Sequence, residues 1–134
     1  MYMLRMLSEI NLILQVVILV VLFAGVFQTK RKRFNHHGYL MFFVVALNFL
    51  SISLVMGPSA ARILIGTSPS TFTLLVAIHS LIGVVSEGLG VFIVLIWRIR
   101  RTEGSCYKLK NYMKALTYLW ILSIIMGVTI YLLL

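Results

Sequence analysis

Four long apolar runs, separated by short polar segments, dominate the sequence. They are Ile10–Phe27, Tyr39–Met56, Phe72–Trp97 and Tyr112–Leu134. At about 1.5 Å of rise per residue, each run is long enough to cross about 30 Å of hydrocarbon as a helix. A membrane β-barrel would show alternating segments of about ten residues instead, and unpaired backbone groups find no partner in lipid. The pattern predicts an all-α integral membrane protein, folded as a four-helix bundle.

The composition agrees with a chain embedded in lipid. Of its 134 residues, 61% are hydrophobic, 11% are charged and only three are acidic. A soluble domain carries about 25% charged residues. Four spans of about 20 residues each leave room only for short loops, so a large catalytic domain is excluded. We expect one transmembrane domain over residues 1–134 and a multi-pass location in the cell membrane.

The basic residues fall into two loops. Ten of the twelve Lys and Arg residues lie there, with Lys30, Arg31, Lys32 and Arg33 in the first loop and Arg98, Arg100, Arg101, Lys108, Lys110 and Lys114 in the third. By the positive-inside rule both loops are cytoplasmic and both termini face outward. The net charge is +9. Because the basic runs are short and directly adjoin the spans, we expect them to contact anionic lipid headgroups rather than nucleic acid.

The outer loop, Gly57–Thr71, contains both prolines. We expect Pro58 to end the second helix and Ser70 or Thr71 to cap the third. Between them, Ala60–Ile65 has the composition of a short interfacial helix. The segment before the first apolar run lacks the basic region and the cleavage site of a signal peptide, so we expect the first helix to be retained.

Each predicted span carries a polar residue near mid-membrane. Counted from the cytoplasmic ends, these are Gln15, Asn48, Glu87 and Ser123, with Ser86 beside Glu87. Glu87 lies ten residues from Trp97, at a depth of about 15 Å, where a charge costs about 2.5 to 3.5 kcal/mol. Two interpretations stay open. One is a proton-accepting or cation-binding Glu87 with Asn48 as partner, and the other is a neutral Glu87 that hydrogen-bonds to polar residues of the other spans.

Small residues flank this glutamate along one helical stripe. Ser80, Gly83, Glu87 and Gly90 follow the spacing i, i+3, i+7 and i+10, which places them on one face of the third span. Small side chains let a second helix approach closely within a membrane. The stripe therefore predicts helix packing through Ser80, Gly83 and Gly90.

A second group of side chains is expected near the outer surface. His79 lies eighteen residues from Trp97, hence about 27 Å from the cytoplasmic end, at the height of Met56, Glu9 and Tyr131. His with Met or Glu can ligate copper, and His with Met can ligate haem. The alternative is an interfacial histidine that hydrogen-bonds to Glu9 or Tyr131 and holds no cofactor.

His36 and His37 lie at the cytoplasmic end of the second span, nearly the full membrane thickness from His79. A haem or metal ion shared by the two ends of one chain is therefore excluded. A cofactor at either end needs a ligand other than histidine, or a neighbouring subunit. The alternative for His36 and His37 is anchoring beside the phosphate layer.

Three stretches together resemble a known family. They are His37-Gly38-Tyr39-Leu40-Met41, Ile78-His79-Ser80-Leu81, and the last-span residues Trp120, Gly127 and Tyr131. They are similar to the signatures of YozB-like membrane proteins, small four-span proteins linked to the assembly of haem-copper cytochrome oxidases. The resemblance covers about residues 30–134 and implies that His37 and His79 are the signature histidines. The chain departs from the pattern where Lys108, Lys110 or Asn111 stands for a further histidine, and where Met126 stands for a threonine.

No catalytic motif is present, since the sequence lacks His-Glu-x-x-His, a cysteine pair, a glycine-rich phosphate loop and any aspartate. These features favour a non-catalytic accessory or assembly subunit of a membrane redox complex, such as a terminal oxidase or a copper-dependent oxygenase. Its expected partners are other integral membrane subunits and anionic lipids, with no nucleic acid and no resident cofactor.

Two alternative functions stay open. A small haem- or metal-binding membrane protein would use His79 with Met56 or Glu9, or His37 with a neighbour. A proton or ion transporter would use the mid-membrane Glu87.

Overall fold

The computed structural model describes residues 2–31, 34–66, 68–100 and 110–133; the side chains of residues 29, 34, 35 and 97–100 are outside this description. Helix α1 spans Tyr2–Lys30, α2 Phe34–Ser51, α3 Gly57–Gly66, α4 Thr71–Arg100 and α5 Lys110–Leu133, and a π-helical turn at Ile52–Met56 joins α2 to α3. No strand occurs in these ranges. The predicted all-α class is confirmed.

Within the described ranges, four helical segments are long and apolar enough to cross a membrane: Tyr2–Gln28, His36–Gly66, Thr71–Ile96 and Lys110–Leu133. They correspond to the four predicted runs, but the first helix begins at Tyr2 rather than Ile10. Residues 2–9 contain no proline or glycine that would stop a helix. The hydroxyl of Ser8 also donates to the carbonyl of Leu4 at 2.8 Å, so the helix continues beyond the apolar run.

The four segments form an up-and-down bundle. Helix α1 packs mainly against α2 and α4 mainly against α5, while contacts between α2 and α4 join the two pairs. Gly25 meets His37 where α1 ends and α2 begins, and Tyr131 meets Glu9 near the end of α5 and the start of α1. One end of the bundle therefore carries the described cations Lys30, Arg31, Lys110 and Lys114. It is called the basic end, and the other is called the opposite end.

The remaining basic residues of the two predicted cytoplasmic loops lie outside the described part of the structure. They are Lys32, Arg33, Arg101 and Lys108, with the side chains of Arg98 and Arg100.

A small apolar core lies toward the middle of the bundle. Ile18 and Leu22 of α1, Val44 of α2 and Trp120 of α5 are all buried there. Elsewhere, large apolar side chains face outward on every helix, and only 11–28% of the residues in the most apolar window of each span are buried. Lipid tails or other helices cover such faces in a membrane.

Pro58 does not end the second helix, contrary to the sequence prediction. The chain stays helical through the π-helical turn into α3, and the N–H of Gly57 bonds back to the carbonyl of Ile52, five residues earlier. Proline has no N–H, and its ring clashes with the carbonyl four residues before it. The wider π-helical turn accommodates both effects. The predicted short helix Ala60–Ile65 is therefore the middle of α3, which packs against α4.

The start of α4 follows the sequence prediction. Ser70 immediately precedes the first helical residue, Thr71. Its Oγ accepts a hydrogen bond from the backbone N–H of Thr73 at 3.2 Å, and its carbonyl accepts from the N–H of Leu74 at 3.0 Å. This is the geometry of an N-cap. Of the two predicted candidates, Ser70 is the cap.

Candidate functional site

A chain of hydrogen bonds crosses the middle of the bundle. Asn48 of α2 donates from Nδ2 to Oε2 of Glu87 on α4 at 2.7 Å. It accepts at Oδ1 from Nε2 of Gln15 on α1 at 3.2 Å. The three side chains are only 6–8% exposed. One amide thus links three helices, at the level where the sequence placed all three polar residues.

This polar chain extends toward the opposite end through residues that sequence reasoning missed. Gln15 also lies within hydrogen-bond distance of Ser51, with Nε2 3.3 Å from Oγ. Ser51 in turn bonds to Oδ1 of Asn11, and its Oγ lies 3.4 Å from Sδ of Met56. Helical spacing could have found the two polar residues, because Asn11 precedes Gln15 by four residues and Ser51 follows Asn48 by three.

Ser86 and Ser123, the other two residues predicted for this network, lie apart from the chain. The hydroxyl of Ser86 donates to the carbonyl of Ile82, in its own helix, at 2.7 Å. A serine inside a helix can always satisfy its hydroxyl in this way, so it needs no partner from another helix. Ser123 is buried on α5 and lines a cavity described below.

Only one carboxyl oxygen of Glu87 has a hydrogen-bond partner among the described residues. Oε2 accepts from Asn48, whereas Oε1 is buried without a hydrogen-bond partner among the described residues. Taking a carboxylate out of water costs several kcal/mol, which calls for several donors in return. A single amide donor suits an uncharged carboxyl better than a carboxylate.

The small-residue stripe packs at one end only. At Gly90 an added Cβ would lie 3.1 Å from Cγ2 of Val45, so α2 approaches α4 closely there. At Gly83 an added Cβ would meet nothing within 4 Å, because this residue lines the cavity. Ser80 also lines the cavity and donates to the carbonyl of Val76 at 2.8 Å. The predicted close helix packing therefore holds at Gly90 and not at Gly83.

A cavity of about 390 Å³, the opposite-end cavity, lies between α1, α3, α4 and α5. Its walls are mainly apolar. The polar residues in its wall include Asn11, Gln15, His79, Ser123 and Tyr131. The polar chain thus ends at this cavity, since Asn11 and Gln15 belong to both.

His79 and Met56 share the wall of this cavity. The His79 ring lies beside Gly127, where an added Cβ would be 3.4 Å from Cε1. Its Nδ1 is buried without a hydrogen-bond partner in the described part of the chain. The sulfur of Met56 faces Ser51 and the polar chain. The ring of His79 therefore packs beside Gly127 of α5.

Glu9 contacts Tyr131 and Arg5. It lies outside the residues that line the opposite-end cavity. Its Oε1 accepts a hydrogen bond from the hydroxyl of Tyr131 at 3.1 Å and lies 3.9 Å from Nε of Arg5. Glu9 and Tyr131, which the sequence placed at the height of His79, thus contact each other, and the pair of His79 and Glu9 as metal ligands stays a prediction.

His37 lies at the basic end and is only 5% exposed. Its Nδ1 is 2.7 Å from the carbonyl oxygen of Gly25. Nε2 is buried without a partner among the described residues. A smaller, apolar cavity of about 60 Å³, the basic-end cavity, adjoins the ring. The neighbouring His36 is exposed. His37 and His79 lie at opposite ends of the bundle, so one chain cannot share a cofactor between them.

In the described part of the chain, no group of three or more His, Cys, Asp or Glu side chains is placed to hold a metal ion. No family model, curated protein or solved structure matches the sequence. The resemblance to YozB-like proteins therefore stays a prediction, and function must be inferred from geometry.

Proposed function

We propose that this protein is a non-catalytic accessory or assembly subunit of a membrane redox complex, of the terminal oxidase or copper-dependent oxygenase type. The observation that supports it most is the contrast between interior and surface. Inside the bundle, Asn48 hydrogen-bonds to both Glu87 and Gln15 and so joins three helices. Outside, every helix presents large apolar side chains. Such a chain suits packing against the helices of other integral membrane subunits.

The link to redox chemistry is supported by the placement of the signature histidines. His37 and His79 each adjoin a cavity, and each keeps one ring nitrogen buried without a partner among the described residues. Two unused imidazole nitrogens suit a protein that works beside metal cofactors. The resemblance to YozB-like proteins favours the same assignment.

We further propose that the basic end faces the cytoplasm and that both termini face outward, in the cell membrane. The described Lys30, Arg31, Lys110 and Lys114 lie at that end. Cations of this kind are retained on the cytoplasmic side and attract anionic headgroups, at about 1 kcal/mol each. Anionic lipid is therefore a partner of the basic end.

The test of the accessory function is purification of the tagged protein from its native membranes in a gentle detergent, followed by mass spectrometry of what co-migrates. We expect subunits of one membrane redox complex in fixed proportion. A matched control is a tagged four-span protein of the same membranes that belongs to another complex. Migration of this protein alone, while the control keeps its partners, would contradict the proposal.

A second candidate function, proton or cation transport, is favoured by one observation. The polar chain runs from the opposite-end cavity through Gln15 and Asn48 to Glu87. Oε1 of Glu87 is buried without a hydrogen-bond partner among the described residues. On the basic side of Glu87, the buried residues Val45, Ile93 and Val94 offer no polar continuation. In proteoliposomes, transport through this chain requires that Glu87→Gln abolish proton flux while Ser86→Ala leaves it unchanged. Equal flux in both variants would remove this candidate.

A further inference from the structure

The basic-end cavity contains a histidine whose protonation is set by its neighbour. The carbonyl of Gly25 can only accept a hydrogen bond, so Nδ1 of His37, 2.7 Å away, must be the donor. In the neutral imidazole the proton is then on Nδ1, and Nε2 carries a free lone pair. Metal-bound histidines commonly have this second hydrogen bond to a backbone carbonyl, which fixes the tautomer and the ring orientation.

The wall of the same cavity supplies two thioethers. Met41 follows His37 by one helical turn on α2, and Met113 reaches the cavity from α5. Trp120 also lines it, and the hydroxyl of Thr117 in its wall donates to the carbonyl of Met113 at 2.9 Å. No carboxylate lines this cavity. Apart from the Thr117 hydroxyl, the side chains in the wall that can coordinate a metal ion are therefore one histidine and two methionines.

Gly25 makes the close approach of these groups possible. A Cβ added there would collide with Cε of Met41 and would lie 3.7 Å from Nδ1 of His37. The glycine thus serves twice, because its carbonyl holds His37 and its missing side chain makes room for Met41.

The size and the chemistry of the cavity select the ligand. Its volume of about 60 Å³ leaves room for a small ion but not for a haem, since pockets for larger ligands are about 300 Å³ or more. Mg²⁺ and Ca²⁺ require oxygen ligands. Zn²⁺ is bound by imidazole, thiolate and carboxylate, and the last two are missing from the wall. Thioether and imidazole together select Cu(I) among biological metals.

We propose that the basic-end cavity is a binding site for one Cu(I) ion, held by Nε2 of His37 and the sulfur atoms of Met41 and Met113. The indole of Trp120 closes the site and shields the ion from water and oxidants. This site is distinct from the group of His79, Met56 and Glu9 that the sequence predicts near the outer surface. It does not depend on the accessory function, since the ion binds to the chain itself.

The test is anaerobic titration of Cu(I) into the purified full chain in detergent, against a chromogenic Cu(I) chelator. We expect one Cu(I) per chain. Met41→Leu and Met113→Leu keep the apolar volume but remove a sulfur. Each is expected to weaken Cu(I) binding about tenfold or more, because loss of an outer-shell partner alone weakens metal binding about 10- to 100-fold.

Three further variants sharpen the test. His37→Asn keeps an amide N–H near the position of Nδ1 but removes Nε2, so we expect Cu(I) binding to be abolished. Met6→Leu is the matched control, since this methionine lines neither cavity, and we expect its Cu(I) affinity to equal that of the unaltered chain. Met56→Leu tests whether copper binds with His79 instead. Circular dichroism checks that each variant is folded. If His37→Asn does not fold, the two methionine variants of the basic-end cavity decide.

Three results would overturn the proposal. The first is Cu(I) affinity that is unchanged in both Met41→Leu and Met113→Leu. The second is a loss of binding in Met56→Leu alone, which would place copper with His79 instead. The third is tighter binding of Zn²⁺ than of Cu(I). None of them affects the co-migration experiment, so failure of the copper site and failure of the accessory function are distinguishable.

Discussion

Asn48 lies between Gln15 and Glu87, and its hydrogen bond to Glu87 is the shorter of the two, with Nδ2 2.7 Å from Oε2. Because the two residues are on α2 and α4, this bond joins the two helix pairs of the bundle. The relationship makes Asn48 the residue on which the buried polar chain depends.

We expect Asn48→Leu to lower the free energy of unfolding by about 1–3 kcal/mol, since it leaves Glu87 without its donor and Gln15 with Ser51 but without Asn48. Unfolding in mixed detergent and denaturant micelles, followed by circular dichroism, measures the change. Ser86→Ala is the control, because its hydroxyl bonds only to the carbonyl of Ile82 in its own helix. A loss in Asn48→Leu no larger than that of the control would show that the polar chain does not stabilise the bundle.

Replacing the carboxyl of Glu87 by an amide tests whether its charge is needed for stability. Glu87→Gln keeps an oxygen acceptor for Asn48 and carries no charge, so we expect it to lower the free energy of unfolding by less than Glu87→Leu does. Glu87→Leu removes the acceptor and leaves Asn48 unpaired, at an expected cost of about 1–3 kcal/mol. The same unfolding assay compares them. Equal destabilisation by both variants would indicate a charged Glu87.

The glycines at positions 25 and 83 form a matched pair. An added Cβ at Gly25 collides with Met41, whereas at Gly83 it meets nothing within 4 Å. We expect Gly25→Ala to be the less stable of the two variants, because the flexible methyl end of Met41 must shift to admit the new Cβ. Gly83→Ala should be neutral or stabilise by up to about 1 kcal/mol, because alanine is the better helix former. Thermal unfolding in detergent measures both, and the opposite order would contradict the packing described here.

The proposed orientation predicts which positions react from outside the cell. With Cys106 replaced by Ser, we introduce Ser68→Cys before α4 and Lys30→Cys at the end of α1. We expect a membrane-impermeant maleimide to label Ser68→Cys in intact cells and Lys30→Cys only after permeabilisation. Both side chains are exposed, so reactivity reports the compartment rather than burial. Labelling in the reverse order would invert the proposed topology.

Sequence reasoning worked where each residue acts through its own helix. The four apolar runs, the cap at Ser70 and the heights of Gln15, Asn48 and Glu87 follow from helical rise and composition. Pro58 shows where this reasoning fails. Its local rule predicts a helix end, yet the π-helical turn before it absorbs the missing N–H. A change of helix type over five residues leaves no clear mark in hydropathy.

The sequence predicts only some of the side-chain partners between helices, because helical spacing identifies residues on one face but not their partners on another helix. Asn11 and Ser51 were accessible to spacing arguments, since they lie on the same helix faces as Gln15 and Asn48. The pairing of His37 with Gly25 was not, because it joins a side chain to a backbone carbonyl of another helix. No property of the glycine residue in the sequence marks its carbonyl as an acceptor.

The sequence by itself determined the all-α class, the four candidate spans and the level of each polar residue, because a helix in lipid must satisfy its own backbone and rises by a fixed step. Only the tertiary structure decided how each helix is rotated and how closely it approaches its neighbours. Rotation and spacing placed Gly90 against Val45, left Gly83 facing a cavity, and brought Met113 of α5 to the cavity that His37 and Met41 line. These outcomes depend on packing among five helices at once, which no single segment of the chain encodes.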